Sequence, residues 1–297
     1  MEVVVTENRI RVDKYLQEIT DYSRATIQKM IDSEYILVNS KQTKANYVVR
    51  EHDVITIKEG FIKEMDVKPE DIKLDIIYED DDLIIIDKPS GMVVHPGNGN
   101  ASGTLVNALM NHTNSLSEGS SEERPGIVHR IDKDTSGIMI AAKNNKTHEL
   151  LADGFKNKTI NREYTALLVG ELKTDTATID APIGRDKYDR KKMAVTDNNS
   201  KEARTYLTVL KKYKGFTLVN FKLETGRTHQ IRVHAKYIGY PVYNDPVYTN
   251  DKCSSFGQFL HSSKISFIHP ITKKSINFES SLPKEFNDFL KNLEELS

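Results

Sequence analysis

Apolar residues recur at helical and strand spacing along the whole chain, and they predict a protein of mixed α and β structure. In the first 60 residues the spacing predicts two helices, at 11–16 and 23–31, and short strands at 36–38 and 54–57. Ser23 is a suitable N-cap for the second helix. We therefore expect a compact ααβ domain over residues 1–60.

Residues 61–82 are charged, poor in aromatics and carry Pro69, so they predict a linker into a second domain at 83–297. Its predicted strands are 83–86, 92–95, 161–169, 203–210, 216–223, 259–267 and 275–278, and its predicted helices begin at 104, 147, 228 and 284. Alternation in 203–210 and 216–223 is typical of an antiparallel sheet. The expected fold is α+β with a largely antiparallel central sheet.

One stretch, PGIVHRIDKDTSGIMIAAK at 125–143, places five ionisable groups between two apolar runs. The runs at 126–128 and 138–141 have strand character, so the pattern predicts strand, polar loop, strand. A carboxylate at such a sheet edge would be neutral unless a nearby cation keeps it ionised. The alternative is a surface hairpin with solvated charges.

Composition places the chain in an ordinary globular class, with 38% hydrophobic and 29% charged residues over 297 positions. No apolar run approaches the roughly 20 residues of a membrane span. The start, MEVVVTENRI, lacks the basic region of a signal peptide. Cys253 stands alone, which excludes an internal disulfide or a CxxC metal site. These features predict a cytoplasmic protein.

Basic residues are concentrated in the middle of the chain. Residues 1–123 hold 13 Lys/Arg against 23 Asp/Glu, whereas residues 124–252 hold 24 against 15. Within this basic part, GRDKYDRKKM at 184–193 suits a protruding hairpin that binds a polyanion. The distribution predicts an anion-binding cleft, although a solvated lysine-rich face would have a similar composition.

Several chemistries are disfavoured by spacing. Asp132 and Asp134 match the DxDxT loop of a magnesium-dependent phosphatase, but Asn244-Asp245 and 249–251 do not follow a clear strand as the later acidic pair should. The histidines of HQIRVH are five apart, so they do not share a helix face as in HExxH. The glycine-rich loop at 96–103 has no nucleotide-binding pattern, and no GxSxG elbow is present. We expect no metal site.

Five segments occur in an order that is far more specific: DKPSG with HPG at 87–97, HRIDKDTSG, REYTA, ETGRTHQIRVH, and Leu260-His261. Together they resemble the RNA pseudouridine synthases of the RluA/RluD group, over nearly the whole chain. The resemblance implies a pseudouridine synthase fold and the isomerisation of uridine in RNA, with no cofactor.

The resemblance also implies roles for individual residues. Asp132 matches the family's essential aspartate, which acts as nucleophile, and Arg232 matches the arginine that pairs with it. Tyr164 matches an active-site tyrosine that packs against uracil and takes the proton of carbon five. Arg130 matches a residue that enters the RNA helix where the target base is extruded.

Arg227 and His229 are expected to contact phosphate or support the loop. The implied partner is structured RNA, favouring large-subunit ribosomal RNA or its assembly intermediates as in the RluD branch, and a monomer is expected. An alternative from another class is a non-catalytic RNA-binding or ribosome-assembly factor that keeps the fold.

The first 60 residues resemble the small RNA-binding domain named after ribosomal protein S-four, as carried by RluD-branch members. The matching segments are RVDKYLQEI, SRATIQKMIDSEYILVNS and EHDVITI. In that family a basic helix face, here including Arg24 and Lys29, contacts RNA phosphates. Two positions depart from the pattern, since Glu34 and Ser40 stand where the family usually carries glycine.

Overall fold

The chain forms two compact units, Met1–Asp66 and Val67–Ser297. The computed structural model describes residues 1–6, 10–20, 22, 24–59, 61, 67–97, 100–118, 124–189, 191–249 and 254–296. Ser23 and Cys253 lie outside the described residues. No helix among the described residues is both long and apolar enough to cross a membrane.

The described residues of the first unit form two helices and a four-stranded antiparallel sheet. Its elements are β1 (Glu2–Val4), α1 (Val12–Ile19), α2 (Arg24–Asp32), β2 (Ile36–Val38), β3 (Lys41–Gln42) and β4 (Val54–Ile57). The strand order is β1-β4-β2-β3. The predicted helices and the strands β2 and β4 are present, and the edge strands β1 and β3 were not predicted.

A small core holds this unit together, and it contains the apolar residues of the predicted helical pattern. Val12, Leu16, Ile27, Met30 and Ile31 are all completely buried. Residues four apart on a helix share a face, which explains why the pairs 12/16 and 27/31 point to the same core. Burial of this apolar face, rather than helix propensity, stabilises helices as short as these.

Glu34 and Ser40, the two departures from glycine, both adopt left-handed backbone conformations, with φ of 61° and 60°. Glu34 follows α2, and the N–H of Tyr35 donates to Met30 O at 2.7 Å, which closes the helix end. Glycine is preferred at such a position because a Cβ is strained there. Both positions therefore have the backbone conformation that glycine favours, although neither residue is glycine.

Glu34→Gly should stabilise the first unit by about 0.5–1 kcal/mol, because glycine adopts positive φ without strain. Hydrogen–deuterium exchange of peptides covering α2 and β2 in the full chain measures this as slower exchange. Glu34→Ala is the matched control, since it removes the same carboxylate but keeps the Cβ. Equal protection in both variants would show that the charge, and not the backbone, decides stability here.

The second unit contains the remaining elements. They are β5 (Ile76–Glu79), β6 (Leu83–Lys88), α3 (Leu105–His112), β7 (Ser136–Ala142), α4 (Asn145–Lys156), β8 (Asn161–Val169), β9 (Thr176–Asp180), β10 (Ile183–Arg185), β11 (Met193–Val195), β12 (Arg204–Tyr213), β13 (Phe216–Leu223), α5 (Gln230–Tyr237), β14 (Leu260–Ile268), β15 (Ser275–Glu279) and α6 (Lys284–Lys291).

Nine strands form one sheet in the order β5-β6-β7-β14-β8-β13-β12-β9, and β15 pairs with β14. All pairs in this sheet are antiparallel except β7 with β14, which are parallel. The largely antiparallel sheet expected from the sequence is confirmed. Strands β10 and β11 form a separate antiparallel hairpin, one of the two structures, with a solvated loop, that the segment at 184–193 suits.

The central strands are buried on both faces of the sheet. In β6, Ile84 and Ile86 pack into one core, while Leu83 and Ile85 pack into the core on the opposite face. Successive side chains of a strand alternate between faces, so a strand covered on both sides reads as a continuous apolar run. Helix α3 contributes to the first core and Leu151 of α4 to the second.

Two predicted strands are wrong. At 126–128 only Ile127 bridges β7, opposite Ala141, because Pro125 and Gly126, whose φ is +76°, form a turn. At 92–95 the carbonyls of Val93 and Val94 accept the first two N–H groups of α3, so they are not available to a neighbouring strand.

The predicted linker is wrong over its second half. Ile76–Glu79 forms strand β5, which pairs with β6 at the edge of the sheet. Ile76, Ile77 and Tyr78 pack against the two cores, and this apolar content outweighs the surrounding charges. The second unit therefore begins at Val67, upstream of the boundary at residue 83 expected from the sequence.

Candidate active site

All six site residues predicted in the second unit line one pocket. These are Arg130, Asp132, Tyr164, Arg227, His229 and Arg232, and the rest of the wall includes Ile131, Thr135, Arg162, Leu223 and Leu260. The six predicted residues come from the loop before β7, from β8, and from α5 and the turn before it. Leu260, from the last of the five matching segments, is the first residue of β14 and is part of the wall.

Three strands in lateral register place the loop of Asp132 next to Tyr164. Ser262 of β14 lies opposite Gly137 of β7 on one side and opposite Tyr164 of β8 on the other. A Cβ on Gly137 would lie 2.3 Å from Ser262 O, so this close approach requires glycine. Asp132 precedes Gly137 by five positions and thereby reaches the same end of the sheet.

The loop that carries Asp132 is fixed by hydrogen bonds from two other segments. Gly91 N–H donates to Lys133 O at 3.0 Å, and the Ser90 hydroxyl lies 3.0 Å from Asp134 O. From the other side, Gln258 Nε2 donates to Thr135 Oγ1 at 3.0 Å. A loop held in this way keeps a side chain in place at little further cost in conformational entropy.

Lys88 ties the DKPSG segment to the same loop from inside the protein. Its side chain is completely buried, and Nζ donates to Pro89 O, Met92 O and Lys133 O at 2.8–2.9 Å. Burial lowers the pKa of Lys88 to about 7, against the attraction of Asp134, Asp132 and Asp87. All three ammonium donors are used, which is the requirement for placing such a group in a core.

The predicted pair of Asp132 and Arg232 is present. Arg232 Nη1 donates to Asp132 Oδ2 at 2.7 Å, although the two residues are 100 positions apart in the chain. Arg232 is 4% exposed and Asp132 19% exposed, so the carboxylate reaches the pocket and the guanidinium lies behind it. Charge-assisted bonds of this kind are the strong class of hydrogen bond.

A second carboxylate, Asp245, holds the other side of the guanidinium. Asp245 is completely buried and accepts Arg232 Nε at 2.7 Å and Nη2 at 2.8 Å. Its Oδ1 also accepts the backbone N–H groups of Val247 and Tyr248. The fork geometry leaves Nη1 free to point at Asp132, so Asp245 determines the orientation of Arg232.

Asp132, Arg232 and Asp245 form a triad in which the two carboxylates stabilise the charged guanidinium. Burial by itself would lower the pKa of Arg232, but the hydrogen bonds and charges of Asp245 and Asp132 raise it above its ordinary value. Sequence analysis considered Asp245 only as part of an acidic pair for a phosphatase. No spacing rule links a residue after α5 with an arginine inside it, and so this role was missed.

Tyr164 lies in the pocket wall and is 5% exposed. Burial raises its pKa above the ordinary value, although Arg162 and a hydrogen bond with Ser262 act in the opposite direction. Arg162 precedes Tyr164 by two positions and is also in the wall, with its guanidinium carbon 5.0 Å from the centre of the Phe155 ring. The i, i+2 spacing on one strand was the signal that could have identified Arg162.

His229 faces Asp132 from the turn before α5. Its Nε2 lies 3.8 Å from Asp132 Oδ1, and its Nδ1 lies 2.8 Å from the hydroxyl of Tyr248. Burial lowers the pKa of His229 below its ordinary value, so the imidazole is neutral at pH 7. A neutral imidazole offers no positive charge to a phosphate. Of the two roles expected for His229, support of the loop is therefore favoured over phosphate contact.

Of the residues predicted to bind RNA, Arg130 and Arg227 lie in the pocket wall, and Arg24 and Lys29 belong to the first unit. Arg130 is exposed, and Arg227 is half-buried, with Nε donating to Glu202 O at 2.9 Å. Arg24 and Lys29 lie on α2 of the first unit, where Arg24 Nε donates to the buried Asp13 at 2.9 Å. Half of the Arg24 side chain remains exposed.

Among the described residues, one group of side chains is close enough to hold a metal ion: Asp80, Asp82 and His269. It is not part of the pocket wall. Backbone N–H groups of Ile271 and Thr272 donate to His269 Nδ1, so Nε2 carries the hydrogen and donates to Asp80 at 3.0 Å. The imidazole lone pair at Nδ1 is therefore already used, and Asp80, Asp82 and His269 form a hydrogen-bonded cluster.

Comparison with known proteins agrees with this geometry. Residues 82–237 match the family model described as RNA pseudouridylate synthase. The match covers the loop of Asp132, strand β8 and helix α5, which carry the three candidate catalytic residues. The chain belongs to the RNA pseudouridylate synthase family and is an RNA isomerase.

Relatives extend the similarity to the full length. The chain is 47% identical to an uncharacterised RNA pseudouridine synthase, YlyB, of Bacillus subtilis (strain 168), over 95% of this chain and 94% of that protein. It is 40% identical to ribosomal large subunit pseudouridine synthase D of Nitrosomonas europaea, over 100% of this chain and 88% of that protein. Among solved structures, human RNA pseudouridylate synthase domain containing 4 superposes with a TM-score of 0.58 at 25% identity, covering 74% of this chain and 94% of that one.

Asp245→Asn should lower kcat about 10- to 100-fold with a smaller change in KM, because the amide cannot hold both Arg232 nitrogens and the guanidinium no longer aims at Asp132. Single-turnover assays on an RNA substrate measure this, with circular dichroism to verify folding. Asp175→Asn is the control, since that carboxylate is 80% exposed and pairs with Lys212 at the surface. Similar kinetics for both variants would remove Asp245 from the site.

Proposed function

We propose that Asp132 carries out the isomerisation, acting on a uridine extruded from RNA into the pocket. The observation that supports this most strongly is the geometry of its carboxylate, with Oδ2 bound to Arg232 and a partly exposed edge facing a pocket walled by Tyr164. In the reaction the bond from ribose C1′ to uracil N1 breaks and the bond from C1′ to C5 forms. Carbon five loses a proton and N1 gains one, so no redox change occurs.

Arg232 provides Asp132 with a fixed positive charge in the presence of its substrate. RNA brings a high density of negative charge, which favours protonation of a nearby carboxylate. A fixed cation at hydrogen-bond distance offsets this effect. Because Asp245 holds Arg232 from behind, the guanidinium does not turn toward a phosphate when RNA binds.

Tyr164 is assigned to packing against the uracil ring. The raised pKa means that the phenol is neutral at pH 7. Removal of the proton of carbon five is the second role that the family resemblance implies for Tyr164, and we propose it for the same side chain. An aromatic face next to a flipped base stabilises it by stacking.

RNA is held at the mouth by cations, with Arg130 and Arg227 next to the extruded nucleotide. The hairpin of β10 and β11 presents Lys187 and Tyr188 at an exposed tip, and Tyr188 is 89% exposed. Basic groups with an aromatic side chain are the usual elements of a surface that binds the RNA backbone and an unpaired base.

The substrate we favour is large-subunit ribosomal RNA, in the assembled or assembling subunit, modified in the cytoplasm by a monomer. Support comes from full-length relatives named for the large ribosomal subunit, at 40% identity in Nitrosomonas europaea and 38% in Zymomonas mobilis. The family match and the relatives favour neither the non-catalytic factor nor the phosphatase. Asp245, the later acidic residue considered for a magnesium site, is bound to Arg232 instead.

Mapping of pseudouridine in total RNA from cells with and without this gene tests the substrate. We expect large-subunit ribosomal RNA sites to vanish on deletion and to return with the wild-type gene but not with Asp132→Asn. Asp134→Asn, two positions along the same loop, is the matched control and should restore modification. Loss confined to transfer RNA would contradict the assigned substrate, and rescue by Asp132→Asn would contradict the assigned nucleophile.

We assign RNA binding to the first unit, through the face of α2 that includes Arg24 and Lys29. Deletion of residues 1–66 should weaken binding to folded RNA about tenfold while changing turnover on a short stem-loop less than about twofold, because two linked contacts bind more tightly than one. Equilibrium binding and single-turnover rates give the two values. If the truncated chain fails to fold, Lys29→Glu in the full chain replaces it. Unchanged affinity in the variant tested would exclude this role.

A further inference from the structure

The pocket contains a hydrogen-bond chain that neither the resemblance nor the family match explains. It runs from strand β11 through Tyr248 to His229, whose Nε2 lies near the carboxylate of Asp132 but beyond hydrogen-bond distance. Met193 N–H donates to the Tyr248 hydroxyl at 2.9 Å, and that hydroxyl lies 2.8 Å from His229 Nδ1. At the other end of the imidazole, Nε2 faces Asp132 Oδ1 at 3.8 Å.

His229 occupies this position at a cost. Its φ is +57°, in the left-handed region that favours glycine, directly before the first residue of α5. Strained conformations of non-glycine residues persist where the surrounding structure imposes them and are concentrated at functional sites. A glycine at this position would relieve the strain, but it would carry no imidazole next to Asp132.

The tautomer of His229 determines whether an N–H group or a lone pair lies next to Asp132 Oδ1. With hydrogen on Nε2, an N–H dipole faces Oδ1 and attracts it. With hydrogen on Nδ1, the Nε2 lone pair faces the negatively charged oxygen and repels it. Because Oδ2 is already bound to Arg232, the state of His229 determines the environment of the remaining oxygen.

Tyr248 has one hydroxyl hydrogen and two acceptors within reach, His229 Nδ1 at 2.8 Å and Met193 O at 3.2 Å. The shorter distance favours donation to the imidazole, while the hydroxyl oxygen accepts from Met193 N–H. Tyr248 is itself fixed, since it is 6% exposed and its ring lies 5.1 Å from the Arg232 guanidinium carbon. Burial raises the pKa of Tyr248 to about 12, so the hydroxyl keeps its hydrogen at pH 7.

We propose that Tyr248 is a positioning residue: its hydroxyl donates to His229 Nδ1 and holds the imidazole in the tautomer that directs Nε2–H at Asp132. Since Met193 belongs to β11, the same hydroxyl also joins the active site to the hairpin that presents Lys187 and Tyr188. The functional part of this inference rests on the proposed role of Asp132, whereas the tautomer is a property of the protein without RNA.

The tautomer is measured in the full chain labelled with nitrogen-15 histidine, by two-bond proton–nitrogen correlation. The chain has nine histidines, and the signal that disappears in His229→Gln is the one to follow. We expect the Nε2–H pattern in the wild type and its loss or mixing in Tyr248→Phe. An Nδ1–H pattern in the wild type, or an unchanged pattern in Tyr248→Phe, would overturn the proposal.

Kinetics test the consequence for Asp132. Tyr248→Phe should lower the single-turnover rate about tenfold with KM changed less than about threefold, as expected for loss of one hydrogen bond that acts on the reacting group. Tyr78→Phe is the matched control, because its hydroxyl donates to Asp80 at the sheet edge and should leave the rate unchanged. A shifted tautomer with an unchanged rate would reject the positioning role.

A second pair of variants keeps the test valid if Tyr248→Phe folds poorly. His229→Gln retains an N–H donor near the position of Nε2 and should keep more activity than His229→Leu. Where Tyr248→Phe does fold, it should reduce the rate of the His229→Gln variant by less than about twofold, since the tautomer no longer exists. Equal loss in the glutamine and leucine variants would contradict the requirement for the N–H donor. If the wild type modified no RNA, the proposed function would fail while the nitrogen spectrum still reported the tautomer.

Discussion

The guanidinium of Arg232, shared between two carboxylates, is the interaction on which the rest of the active site depends. Asp245 binds one side of it in the interior, and Asp132 receives the remaining nitrogen at the pocket. A buried cation without such partners would be strongly destabilising, and an unpaired carboxylate next to RNA would tend to protonate. The triad satisfies both requirements and leaves one carboxylate oxygen available for chemistry.

The fold brings the members of this triad together from distant parts of the chain. The parallel contact of β7 and β14, made possible by Gly137, places the loop of Asp132 next to the row that contains Tyr164. Lys88 joins the DKPSG segment to this loop, because its Nζ donates to Lys133 O in the loop and to the carbonyls of Pro89 and Met92. Rigid support of this kind is what allows a carboxylate on a loop to act with defined geometry.

Sequence patterns predicted the elements whose apolar period is strong, and they failed where a turn or a helix end competes for the backbone. Strand β8 was predicted with its observed bounds, whereas the run at 126–128 is bent by Pro125 and Gly126. Glu34 shows the same limit, since its left-handed backbone cannot be read from a glutamate.

The candidate catalytic residues came from the order of motifs, because no periodicity joins Asp132 with a residue 100 positions away. Asp245 and Tyr248 were missed for a related reason. They act on other side chains through the folded arrangement of α5 and the segment after it, and their residue types are ordinary for a turn.

The most direct test of the account is a crystal structure of the protein bound to an RNA stem-loop that contains its target uridine. We expect an extruded nucleotide in the pocket, with Asp132 Oδ1 within about 3.5 Å of its ribose or its uracil ring and Oδ2 still bound to Arg232. A complex in which Arg232 has left Asp132 to bind a phosphate, or in which the uridine lies outside the pocket, would contradict it.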